Sequence, residues 1–123
     1  MKMYIRVADY LQNARLTEGF TVQYLKWRDT KNKSSKFIVF RPNGGSILKA
    51  NLGNEYYTLV DLVGAVNDIE SIDNHVSAIA DHIKNNPYSD RTGLIQVVGA
   101  IPAPVTTEDD RLVYRILVSC KFG

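Results

Sequence analysis

The chain has 123 residues, of which 45% are apolar and 23% charged, the composition of a soluble globular protein and the length of a single domain, taken as residues 1–123. A formal net charge of +2, from 15 Lys and Arg against 13 Asp and Glu, argues against a surface built to follow a phosphate backbone, so direct nucleic-acid binding is not expected. Cys120 is the one cysteine, so no intrachain disulfide ties the chain to an oxidising compartment.

The first residues, MKMYIRVADYL, lack the apolar run of a signal peptide, and no window approaches the ~18 apolar residues of a membrane span. The expectation is a cytoplasmic protein without a membrane partner. Residues 1–16 are predicted as a short helix with Tyr4, Ile5, Ala8 and Leu11 on one face. Residues 20–27 (FTVQYLKW) follow as a strand with apolar residues on both faces, which suits burial by the core on one side and by a second subunit on the other. The polar stretch 28–36 (RDTKNKSSK) holds the densest basic cluster and is expected to be a hairpin loop, or a positive finger facing a partner. FIVFRPNGG (37–45) reads as a strand ending at Pro42 and an Asn-Gly-Gly turn, with Ile47 and Leu48 anchoring an irregular segment.

Tyr56–Pro87 is the centre of the pattern. A strand over Glu55–Gly64 feeds an amphipathic helix whose apolar residues, Ile72, Val76, Ile79 and Ile83, are spaced four, three and four apart. Asn67 or Asp68 is expected to cap that helix, and Asn86 before Pro87 to end it. After a turn at 87–93 come a strand at 94–101, an acidic hairpin tip at 103–111, and a long strand at 112–122 with Tyr114, Ile116, Val118 and Cys120 on one face. Asp61 and Arg115 both interrupt apolar strands, and a buried unpaired charge is costly, so they are expected to pair. The assembled expectation is an α+β fold: a largely antiparallel or mixed sheet of four to five strands with two helices on one face.

No catalytic, metal or cofactor constellation is legible. His75 and His82, seven apart on a helix, would sit ~10 Å apart and cannot share one ion. The run Glu108–Asp109–Asp110 lacks calcium-loop spacing, and the paired glycines lack a phosphate-binding motif. Seven tyrosines and one tryptophan suit protein interfaces or core packing.

The short first helix, the strand carrying D-L-V-G-A (61–65), N-D at 67–68, the long helix closing on N-N-P (85–87) and the strand R-L-V-Y-R-I-L-V (111–118) resemble the tail terminator, or tail completion, proteins of long-tailed bacteriophages and prophages. The resemblance implies a non-enzymatic virion protein without cofactors. Its copies would form a ring, a hexamer, that caps the tail tube, stops its growth and presents the surface for head joining. Its partners would be itself, the tail tube protein and a head-completion or connector protein. It would act in the virion tail after assembly in the bacterial cytoplasm. The alternatives are another head–tail connector or tube protein, and a small nucleic-acid-binding module. Local chemistry places the expected interfaces at Lys31, Lys33 and Arg41 on one side and Glu108, Asp109 and Asp110 on another, with Asp61 as a charge partner or interface residue.

Overall fold

The computed structural model describes residues 2–47 and 53–123. Two helices, α1 (Met3–Asn13) and α2 (Glu70–Asn85), lie against one face of a mixed sheet. Its strands are β1 (Phe20–Tyr24), β2 (Lys36–Ile47), β3 (Asn54–Val63), β4 (Tyr88–Ser89), β5 (Gly93–Val97), β6 (Val105–Thr106) and β7 (Leu112–Phe122). They run in the order β1-β2-β3-β7-β5-β4, with β6 also on β7. The strand count exceeds the expectation because β4 and β6 are two-residue pieces, too short to leave a period in the sequence.

Alternation sorts the sheet. Ile38 and Phe40 of β2, Val60 and Leu62 of β3, and Tyr114, Ile116, Val118 and Cys120 of β7 face the helices and are buried. From α2, Ile72, Val76, Ile79 and Ile83 complete this core, as the spacing predicts. Burying each such side chain contributes about 1.5–3 kcal/mol. The buried stripe of α1 is Met3, Val7, Ala8, Tyr10 and Leu11, so the predicted face is rotated, and Tyr4 and Ile5 lie at its margin. The Tyr10 hydroxyl donates to the Asn86 carbonyl (2.7 Å) and ties α1 to the end of α2. The Tyr114 hydroxyl donates to Asp73 (2.7 Å), tying α2 to the central strand.

Two sequence expectations are corrected. First, residues 28–36 do not close a hairpin, because β1 and β2 are parallel. Leu25, at φ 76°, ends β1, and the link 25–35 crosses the outer face of the sheet, where Trp27 packs on Phe37 with ring centroids 5.9 Å apart. Second, Asn43-Gly44-Gly45 is not a chain-reversing turn. The strand continues to Ile47, and the register slips by one residue between Pro42↔Thr58 and Gly45↔Tyr56, a β-bulge. Gly44 supplies the left-handed residue (φ 81°), and a Cβ on Gly45 would lie 2.2 Å from the Glu55 carbonyl oxygen. The expected cap on α2 is present: the Asp68 carboxylate accepts the Ile72 amide (3.2 Å), one of the four amides of the first turn that lack an intrahelical partner, from two residues before the helix starts. Leu48 lies outside the described residues.

Candidate functional site

Two charged clusters stand out, one on β7 and one at its start. The first lies on the outer sheet face. Asp61 on β3 is directly opposite Arg115 on β7. Arg115 donates through Nε to Oδ1 at 2.8 Å and through Nη2 to Oδ2 at 3.2 Å. Arg41, reaching over from β2, donates to the same Oδ2 through Nη2. The pairing read from the sequence is present, and Arg41 joins it. Asp61 is 8% exposed, so burial would disfavour its charge without these donors. The bond to Asp61 raises the Arg115 pKa, so this guanidinium stays charged. One carboxylate thus faces two guanidiniums, and the Arg115 side chain is 53% exposed. The Arg41 Nε is buried and has no partner among the described residues.

The second cluster is centred on Arg111, just before β7, which is 1% exposed. Its guanidinium donates to the carbonyls of Ser35 (2.7 Å), Asn32 (2.9 Å) and Gly64 (3.0 Å), and through Nε to Asp109 (3.0 Å). It also sits 5.5 Å above the Phe37 ring centroid. A planar fork with five donors can join three chain segments at one point, and an ammonium cannot. Backbone bonds reinforce the junction: the Val66 amide to the Lys33 carbonyl and the Asn67 amide to the Asp110 carbonyl, both 2.9 Å.

This junction corrects the expected layout of the interfaces. The basic stretch holding Lys31 and Lys33 and the acidic tip holding Glu108, Asp109 and Asp110 were expected on different sides. They meet at one end of the subunit. Lys31 (φ 65°) and Lys33 are exposed on a link braced by Asn32 and Asp29, whose side-chain oxygens accept the Ser34 amide (3.0 Å) and the Lys31 amide (2.8 Å). Glu108 and Asp110 are exposed. Asp109 is engaged within the subunit: the Thr107 hydroxyl first, and Arg111 after it, hold its carboxyl below the usual range. Arg41 is apart from the lysines, on the outer sheet face with Asp61.

The sequence reading missed Arg111. The signal available was an arginine two residues after Asp109 at the mouth of a hairpin, and nothing in it distinguishes a buried guanidinium from an exposed one. The histidines serve packing. His75 bonds to the Leu16 carbonyl and its ring lies 4.4 Å from Phe20, and His82 sits 5.3 Å from Tyr10. Cys120 is buried, and desolvation pushes its thiol up to about 12. Among the described residues no three of His, Cys, Asp and Glu converge on a metal position, and no helix is long and apolar enough to cross a membrane.

The described residues thus form an α+β subunit, two helices on one face of a mixed sheet, braced by charged side chains. The phage tail termination protein family matches residues 1–123, and the chain belongs to that family. Its role is that of a structural component of a viral tail. A search of curated proteins finds no match. Among solved structures, the chain is similar in fold to one in the virion of a native gene transfer agent particle, at 9% identity and a TM-score of 0.58, over 97% of this chain and 90% of that one.

Proposed function

We propose that the protein is a single-domain subunit of a hexameric ring that caps the tail tube, ends its polymerisation and offers the surface to which the head joins. The observation that carries this reading is the family match across the whole chain. The subunit suits the task. Arg111, Asp109 and Asp61 hold loops and strands in place, and sheet edges and the half-exposed Arg115 on the outer face are left for neighbours. Its partners would be further copies of itself, the tube protein and a head-completion protein, met in the bacterial cytoplasm during assembly and kept in the virion tail.

Locating a tagged copy on assembled tails by electron microscopy tests this. Label confined to one end of the tube is the expected result. Label distributed along the tube would instead make the chain a tube subunit.

A further inference from the structure

The two ends of the sheet are open in complementary ways. At one end, no strand flanks β1 on the side away from β2 among the described residues. The Leu25 amide donates to the Phe40 carbonyl (3.0 Å), so alternation turns the amides and carbonyls of Val22 and Tyr24 outward. The strand, FTVQY, carries no lysine, proline or bulge, the devices that normally blunt an edge. Tyr24 is 39% exposed and Leu25 55%.

At the other end, β4 covers only Gly93 and Leu94 of β5. The Ile95 amide points outward to the Pro87 carbonyl and the Val98 amide inward to the Leu117 carbonyl, both 2.8 Å. Alternation therefore turns the amide and carbonyl of Val97 outward, with no strand beside them among the described residues. Next to this edge, on the helix face, lies a groove of about 530 Å³ lined by Ala80, Ile83, Ile95, Val97 and Ile101. Val22 and Tyr24 lie on the same face, opposite Ile38 and Phe40 of the core. Followed through β2, β3 and β7, the strand directions make β1 antiparallel to β5.

We propose that β1 of one copy adds to the open end of β5 of the next as an antiparallel strand, so that the sheet continues from subunit to subunit. Val22 and Tyr24 then cover the groove between α2 and β5. This head-to-tail contact uses two different surfaces of the subunit, as a closed ring requires. It rests on the ring reading above and identifies which surfaces make the ring.

Cysteine pairing in assembled tails tests it. Thr21, Leu25 and Gln96 are exposed, and pairing the outward groups of Tyr24 with those of Val97, clear of β4, sets Leu25 directly opposite Gln96. Under mild oxidation a Leu25→Cys, Gln96→Cys protein should give a ladder of covalent oligomers, and either single variant should give none. Cys120 is buried, with its thiol near 12, and does not compete. Thr21→Lys, a guard charge on an exposed position, should abolish the ring while the subunit unfolds at the wild-type temperature. Capped tails without the ladder, or an intact ring in Thr21→Lys, would overturn the edge contact alone. Tails of normal length that lack the protein would overturn the terminator reading and this contact with it.

Discussion

Arg111, just before β7, and Arg115, within it, are four residues apart and do opposite things. Arg111 is 1% exposed and distributes its donors over three carbonyls and a carboxylate from separate segments. Arg115 is half-exposed and shares one carboxylate with Arg41. The first charge is consumed in holding the basic link, the exit of β3 and the acidic tip together. The second leaves positive charge on the outer sheet face. Residue type does not separate a fold-building arginine from one available to a partner; the number of donors satisfied inside the chain does.

The largest way to break this contrast is Arg111→Ala. It removes a guanidinium that is 1% exposed and serves three carbonyls and Asp109, and stability should fall by about 3 kcal/mol in urea unfolding. Arg111→Lys should recover little of that, because an ammonium lacks the fork. A loss under ~1 kcal/mol would show that the junction does not hold the loops. Asp61→Ala should cost less, about 1–2 kcal/mol, because solvent screens the half-exposed Arg115. A double-mutant cycle with Arg115→Ala should give a coupling of about 0.5–1 kcal/mol, and additive effects would remove the pairing from the account.

The third test is pH. The folded Asp109 carboxyl titrates below its unfolded value of about 3.9, so its contribution is complete above that pH and is lost as pH falls through the lower folded value. Asp109→Asn should flatten the acid limb of stability against pH in that window. An unchanged limb would mean that Thr107 and Arg111 do not favour the charged form. The smallest effect belongs to Lys31→Ala and Lys33→Ala. Both side chains are exposed, and stability should stay within about 0.5 kcal/mol of wild type by thermal unfolding. Any loss of assembly in these variants would then report a contact between subunits or with the tube.

The sequence made the core legible where period and burial coincide: Ile72, Val76, Ile79 and Ile83 on α2, and Tyr114 to Cys120 on β7. The Asp61–Arg115 pair was legible for a related reason, since a charge inside an apolar strand needs a partner. What could not be read depends on pairing between distant segments. The parallel partnership of β1 and β2 turns a presumed hairpin loop into a crossover, and no local pattern records strand direction. The Asn-Gly-Gly run has the residues of a turn, and only the register with β3 makes it a bulge. Arg111 escaped notice because its partners are backbone carbonyls, which every residue carries and no sequence pattern marks.

The proposed action of this family member is to stop tail growth, and tail length measures that directly. Electron microscopy of tails assembled without the protein should show tubes longer than normal and without heads, with length restored when the protein is supplied. Tails of normal length joined to heads in its absence would contradict the account.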